Sequence, residues 1–546
     1  MRSLTNRCFV ALVLLSSILI GMYRVNDSGA LWQDSPRYAN AAVMIHDWIL
    51  SGKWTQPFEF ARSFYSKYPG FSVPYHPPVY PAFLALFMIC FGVKYWVMRL
   101  FVALCLSVAV LTTSAIANQL GGRKVTSFLS GILLLSMPEV VHWTRDTMSE
   151  VPALMLILVA TFFFIRWLKD PRFYHCVLAV LFAELAFLSR VTTIGVIPGL
   201  FLFALLCGHW RVVFGWASIF CWGGYLVINT CWVIFVRQFA RYELIENAAS
   251  TRVEMFSPWH LAYYPIKSWG MLGPLTFCLV VIGIAIFVRH VVRRQLSKAE
   301  IFSFCWLLGY FGFQLYLCAN EVRYFFFGLP GFAWLAGNVF VFLGSDRPRW
   351  VGAIGVAFCS LVFCGSNVIN SPQGIWGYDA VAARLAREEL GGNVLAACVG
   401  DQDLITRILC KDDERRFGVL RGDRVLALRL PGYAGVDAHV VAQTGSDVMR
   451  LLELGRVRYV VTFVADVGAE HRLRKEMKIA HDTVVSAGDR FVLLEKRSFH
   501  EMNGRENVTR GVLWLWRYTG ELPDGPSELP VVIPTAGLEI KRAAER

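Results

Sequence analysis

The sequence predicts a polytopic α-helical membrane protein of about 11 transmembrane helices, with a C-terminal extracytoplasmic α/β domain. Three observations predict this. Over 546 residues the chain is 56% apolar and 14% aromatic, with a mean hydropathy of +0.48, too greasy for a soluble chain of this size. Apolar runs of about twenty residues recur, the length that crosses a bilayer core. The charge is uneven: residues 1–369 carry 28 Lys and Arg against 15 Asp and Glu, whereas 25 of each follow from residue 370. The formal charge of +13 therefore belongs to membrane loops, suited to anionic lipid or phosphate and not to nucleic acid.

Arg2 and Arg7 precede the apolar run Cys8 to Tyr23. A cleaved signal peptide is the competing reading, but no small-x-small cleavage site follows and many spans do, so the run reads as a first span with its N-terminus inside. Residues 24–98 form a long outer loop. It contains Leu31-Trp-Gln-Asp-Ser-Pro-Arg-Tyr-Ala39, an amphipathic helix from Ala39 to Ser51 and a polar aromatic segment from Phe58 to Tyr75. Tyr75-His-Pro-Pro-Val-Tyr-Pro81 follows, then Ala82–Gly92, too short to span and expected to lie at the interface.

Ten further spans are expected near 99–120, 125–141, 150–168, 175–189, 192–208, 212–235, 273–290, 300–318, 325–343 and 350–369. The expected inner turns hold Arg123, Lys124, Arg166, Lys169, Arg172, Arg211, Arg289, Arg293, Arg294, Lys298, Arg347 and Arg349. With Arg2 and Arg7 these are 14 basic residues beside only Asp170, Glu300 and Asp346, and the outer segments are nearly balanced. That bias sets the orientation. Eleven spans with the N-terminus cytoplasmic put the tail outside.

Beyond Asn370 the composition becomes that of a soluble domain. Asp379–Leu390 reads as a helix, Val394–Val399 as a strand and Asp401–Cys410 as a helix. Val425–Leu430, the helix Ser446–Leu454 and the strands Tyr459–Phe463 and Arg490–Glu495 come later. Alternation of this kind indicates a small α/β domain over 370–500. It has no Gly-x-Gly-x-x-Gly or Walker loop, so no nucleotide is assigned. Residues 501–546 are expected to be an irregular tail. The 14 cysteines lie mostly in apolar runs, and no Cys-x-x-Cys indicates a metal cluster. Cys398 and Cys410 are either a disulfide or two thiols.

Ionisable residues beside a membrane are costly and are functional candidates for that reason. Asp34 suits a helix N-cap, since Pro36 follows two positions on, and it equally suits a general base for an acceptor hydroxyl or amine. Arg37, one turn away, is placed to hold a phosphate, with Tyr38 beside it. In His142-Trp-Thr-Arg-Asp-Thr-Met-Ser-Glu150, Asp146 and Glu150 stand four apart, hence on one face if the segment is helical. They could bind a divalent cation, orient a sugar hydroxyl or act as a second base; a solvated loop is the plain alternative. Arg145, Arg190 in Leu-Ser-Arg and Arg323 in Asn320-Glu-Val-Arg-Tyr are arginines at outer mouths. They either snorkel or converge on a phosphate. His76 is a turn residue or a weak site candidate, and Glu184 is expected to bond within the bundle.

Taken together, these motifs resemble the GT-C class of membrane glycosyltransferases: Asp34 with Arg37, Tyr38 and Ala39; His76-Pro-Pro-x-Tyr-Pro81; Arg145-Asp146 with Glu150-x-Pro152; the Leu-Ser-Arg break at Arg190; and Arg323-Tyr324. The likeness is to the lipid A aminoarabinose transferases and the protein O-mannosyltransferases, over residues 1 to about 345. It implies a polyprenyl-phosphate sugar donor, inverting transfer to a glycan, lipid or protein acceptor outside the cytoplasmic membrane, and Asp34 as base or orienting carboxylate. Asp146 and Glu150 would assist, with Arg37, Tyr38, His76, Arg145, Arg190, Arg323 and Tyr324 binding substrate. The family often has a second acid after the first-loop Asp; here Ser35 follows, which leaves a divalent cation an open question. The competing reading is a transporter or flippase of an anionic lipid or lipid-linked sugar, which favours inverted repeats and acidic or Pro/Gly-broken helices near the midplane; no repeat is seen, and the charged clusters lie at one surface.

Overall fold

The computed structural model describes residues 2–25, 32, 34–71, 76–239, 254–318, 320–341, 346–370, 377–428, 439–465, 475–503 and 507–522, with 527, 529, 531–533 and 538–540. Tyr75, Leu31 and the end of the expected strand Val425–Leu430 lie outside these residues.

Each of the eleven expected spans falls on helix. Six helices among the described residues are long and apolar enough to cross a membrane: Tyr95–Gln119, Glu150–Lys169, Trp216–Arg237, Pro274–Arg293, Val322–Val341 and Trp350–Asn370. A seventh span arises if Lys124–Ser136 and Pro138–Thr144, bent by 61°, are taken as one. The bend falls at Met137-Pro138, where the proline can neither donate a hydrogen bond nor let its predecessor stay helical. Shorter apolar stretches are Asn6–Met22, within the first helix (α1, Arg2–Met22), Val79–Phe91, Phe173–Phe187 and Val191–Leu206.

Among the described residues of 24–98 are three helices: α2 (Ser35–Leu50), α3 (Pro57–Lys67) and α4 (Val79–Phe91). The short apolar helix expected at 82–92 is α4; α3 was legible only as a polar aromatic stretch. Pro258–Leu272 was missed as well, although Ser257-Pro258 is a start signal: the Ser257 hydroxyl accepts from His260 N at 3.2 Å.

Two apolar helical segments open with a 3-10 turn, Val191–Val196 directly after Arg190 and Val322–Gly328 containing Arg323. Each runs on into a helix with a proline in its first turn, Pro198 and Pro330. The two turns touch each other, and this brings their arginines to one end of the bundle. Behind them, Gly199 and Gly309 let two helices meet backbone to backbone. A Cβ on Gly199 would lie 2.5 Å from the Cys305 carbonyl, and one on Gly309 2.5 Å from Gly199 N.

The C-terminal domain is a mixed five-stranded sheet of β1 (Gly392–Ala397), β2 (Phe417–Arg421), β3 (Val457–Ala465), β4 (Phe491–Asn503) and β5 (Asn507–Tyr518), in the order β2-β1-β3-β5-β4. The first three are parallel, and β5 and β4 are antiparallel. Period-two alternation divides the strand residues between two cores. Val394, Ala396, Val419, Val461, Leu513 and Leu515 face the helices Tyr378–Leu385 and Asp401–Lys411 and join the core of the membrane helices. Leu395, Ala397, Leu420, Val460 and Trp516 form a second core under Gly445–Leu454 and Lys475–Ser486. The expected irregular tail is corrected here: β5 pairs on both sides inside the sheet, so the domain extends to at least Tyr518.

Ion pairs dock this domain on residues 34–98. Arg415 holds Asp47 with two nitrogens, at 2.8 and 3.2 Å, and Lys94 meets Asp413 at 3.1 Å. The Thr406 hydroxyl donates to Asn40 Oδ1 at 2.9 Å, and Asn40 Nδ2 donates to the Gly70 carbonyl at 3.1 Å. Cys398 and Cys410 are buried free thiols.

Candidate active site

Asp34 occupies the N-cap position of α2, and Arg37 N and Tyr38 N donate to its carbonyl at 3.0 and 3.2 Å. Its carboxylate makes no capping bond. The plain reading of Asp34 as a side-chain cap therefore fails, and the carboxylate turns elsewhere. Arg37 Nη1 lies 3.3 Å from Oδ1, Arg323 Nη1 donates to Oδ2 at 3.2 Å, and His76 Nε2 stands 3.9 Å from Oδ1. Burial raises the Asp34 pKa, but the charges of Arg37 and Arg323 outweigh it and hold the carboxyl well below its ordinary value. His76 is lowered to about 3, first by burial, so it is neutral near pH 7 despite the carboxylate. With His76 neutral, the two guanidinium groups carry the field on Asp34.

Arg323 is fixed on every side. Nε donates to Glu321 at 2.6 Å, Nη2 to the Tyr324 hydroxyl at 3.2 Å, and the guanidinium sits 4.6 Å over the Trp32 ring. Arg37 Nε donates to Gln402 Oε1 at 3.1 Å, so the C-terminal domain touches the site. Arg190 pairs with Glu150 at 3.0 Å and donates to the Ser149 hydroxyl at 3.4 Å, leaving its Nε without a partner. Tyr38 bonds to Ser149 and packs on His76 and Tyr80 with ring centroids 4.5 and 5.4 Å apart. Burial pushes the Tyr38 phenol up to about 12, so it is a neutral donor.

Of the residues singled out from sequence, Asp34, Arg37, Tyr38, His76, Glu150, Arg190, Arg323 and Tyr324 come together. Two expectations are corrected. Asp146 and Glu150 do not share a helix face, because the helix begins at Glu150. Asp146, fully buried, accepts from Ser35 Oγ at 2.5 Å and from Thr147 N at 2.7 Å, stapling the first turn of α2 to this segment. Arg145 does not join the other three arginines: Nη1 donates to the Val368 carbonyl at 3.3 Å and the guanidinium lies 5.5 Å over Tyr23. Trp32, Glu321, Ser149 and Gln402 were not anticipated. Trp32, Glu321 and Ser149 had a readable signal, their places within one or two residues of Asp34, Arg323 and Glu150; Gln402 is set by folding.

Among the described residues no three His, Cys, Asp or Glu side chains gather as metal ligands. Both Asp34 oxygens face guanidinium groups, a donor set that does not fit a divalent cation.

The fold of this helical bundle and its α/β domain is similar to that of solved membrane transferases, and part of the chain matches a family model. Residues 75–235 match the dolichyl-phosphate-mannose-protein mannosyltransferase family. The chain is similar in structure to ArnT from Cupriavidus metallidurans bound to undecaprenyl phosphate, at 12% identity and TM-score 0.55, covering 94% of this chain and 98% of that one. The apo form of ArnT gives 13% and 0.57 over the same shares. The oligosaccharyltransferase AglB from Archaeoglobus fulgidus, in complex with an inhibitory peptide and a dolichol-phosphate, gives 11% and 0.51, covering 93% of this chain and 76% of that one. No curated protein sequence matches the chain.

Proposed function

We propose that the protein is a glycosyltransferase moving a hexosyl or pentosyl group from a polyprenyl-phosphate donor to an acceptor outside the cytoplasmic membrane. The observation that carries this is an uncapped Asp34 carboxylate held between Arg37 and Arg323, with Arg190 close by, at one end of the apolar bundle. Two structures that share this fold hold a polyprenyl phosphate. In this reading eleven spans place the N-terminus in the cytoplasm and the C-terminal domain outside, over the acceptor site.

The donor phosphodiester engages Arg37, Arg190 and Arg323, with Tyr38, His76 and Tyr324 supplying further contacts. Glu321, at 44% exposure, yields Arg323 to the phosphate. Asp34 then meets the attacking hydroxyl or amine. A carboxylate held this far below its ordinary value is a weak base while both arginines act on it. Once the phosphate neutralises them, Asp34 regains basicity only with donor bound. The acceptor oxygen or nitrogen forms the new bond to the anomeric carbon, the carbon–phosphate oxygen bond breaks with inversion, polyprenyl phosphate leaves, and the acceptor proton passes to Asp34. Phosphate is a good leaving group, so positioning and charge carry most of the rate. Glu150 keeps Arg190 charged and aimed, and Asp146 anchors α2; neither is needed as a base.

Incubating the purified protein with a panel of polyprenyl-phosphate sugars and following release of polyprenyl phosphate tests this. Release abolished by Asp34→Asn supports it. No release from any donor, alongside measurable movement of lipid across vesicles, would give the transporter reading precedence.

A further inference from the structure

Arg145 differs from the other buried arginines. Arg190 has Glu150 at 3.0 Å, Arg407 has Asp403 at 3.6 Å and Arg421 has Asp401 at 2.9 Å. Arg145 is 1% exposed, yet its polar contact is one backbone carbonyl, Val368 O, and its Nε has no partner. Of the nearby acids, Glu139 accepts from Trp143 Nε1 at 2.7 Å, and Asp146, which accepts from Ser35 and Thr147, acts on Arg99 but not on Arg145. The charges that act on Arg145 are two more guanidinium groups, Arg99 and Arg24. Arg99 is buried as well and donates to the Gly21 carbonyl at 2.6 Å. Three guanidinium groups thus gather with no carboxylate acting on Arg145 among the described residues, where desolvation makes an uncompensated cation costly. Burial first, and the Arg99 charge second, push Arg145 down to about 10, the direction of a cation short of counter-charge.

The place suggests the missing partner. Tyr23 ends α1, and Val368 lies in the last turn of Asp346–Asn370, so Arg145 reaches one at each side. Below it, both helices expose apolar side chains, Leu15 and Leu19 on α1 and Val362 and Ile369 on the other. A lipid chain fits beside these residues. Trp32, which packs on Trp143 with ring centroids 6.0 Å apart, lies under Arg323, and no charged group of the Asp34 cluster acts on Arg145. We infer that Arg145, Arg99 and Arg24 form a second phosphate site, distinct from the Asp34 cluster, that takes the head group of an anionic membrane lipid between α1 and the Asp346–Asn370 helix.

The test is native mass spectrometry of the full chain, delipidated in detergent and titrated with phosphatidylglycerol. The wild type should retain one tightly bound lipid. Arg145→Gln should weaken it about 10-fold, the worth of a charge-assisted contact, and Arg24→Gln, at an exposed position, about 3-fold. Arg37→Gln, in the Asp34 cluster, should leave this lipid bound. If Arg145→Gln does not fold, Arg24→Gln decides. Inorganic phosphate at millimolar concentration should not displace the lipid. Equal retention by wild type and both variants overturns the site. Displacement by phosphate, or phosphate bound in place of lipid, overturns the lipid assignment.

Discussion

Three acids stand at the same end of the bundle, and they use their carboxylates in two opposite ways. Glu150 and Asp146 are fully buried, and each is committed: Glu150 to Arg190, Asp146 to Ser35 and Thr147. Asp34 keeps 17% of its side chain exposed and sits between two arginines that also hold other partners, Gln402 and Glu321. A buried pair is balanced and closed, so breaking it costs stability. A partly exposed carboxylate shared between guanidinium groups is open to exchange, so changing it costs chemistry. In the proposed reading, Asp34 alone of these three acids takes part in the transfer, and the other two hold the site together.

The sharpest way to break this comparison is Asp34→Asn. Polyprenyl phosphate release should fall by about 10³-fold, within the range for removing a general base, while the thermal midpoint stays near that of the wild type. A folded Asp34→Asn with wild-type turnover would remove Asp34 from the chemistry. Glu150→Gln should show the converse, a loss of about 3–5 kcal/mol on thermal or denaturant unfolding because Arg190 is left buried and uncompensated. Part of that stability should return in the Glu150→Gln, Arg190→Gln double variant. Arg323→Lys keeps the charge but loses the fork that reaches Asp34, Glu321 and Tyr324 together, and kcat/KM should drop about 10². Asp146→Asn should cost about 1–3 kcal/mol of stability, as expected where Ser35 loses its charged acceptor.

The smallest effect expected is in pH dependence. Asp34 is depressed, so its ion pairs are intact above the ordinary carboxylate range and are lost only as pH falls through its own lower value. The acid limb of kcat/KM for the donor should therefore lie below about pH 4, and the limb of kcat, with donor bound, about a unit higher. His76 has the opposite consequence. Below about pH 6.5 the unfolded chain takes up a proton that the folded state refuses until about pH 3. Native stability should therefore fall between those values, and His76→Gln should flatten the fall. A kcat/KM profile with a limb near pH 6.5 would contradict a neutral His76.

How much of this was readable follows from the range of the forces involved. Hydrophobic runs, positively charged turns and Pro signals act over a few neighbouring residues, so helix at the expected apolar segments, the break at Arg190 and the start of α2 were legible. Glu184 was expected to bond within the bundle, and Asn229 Nδ2 donates to it at 2.9 Å. What was misread depends on partners far along the chain. The strand Asn507–Tyr518 looked like a tail because its neighbours, β3 and β4, supply its pairing. Arg145 was grouped with the other arginines because all four sit at helix ends.

By itself, then, the chain determined a greasy helical bundle, its α/β appendage and a short set of charged residues near helix ends, since periodicity and charge bias are local properties. Only the tertiary structure decided which of those charges meet. It placed Arg323 on Asp34, 289 positions away in sequence, and Gln402 on Arg37, 365 away, and it turned Asp146 and Arg145 aside. The physical reason is that a buried or half-buried charge must find a counter-charge or a hydrogen bond, and which one it finds is fixed by helix packing.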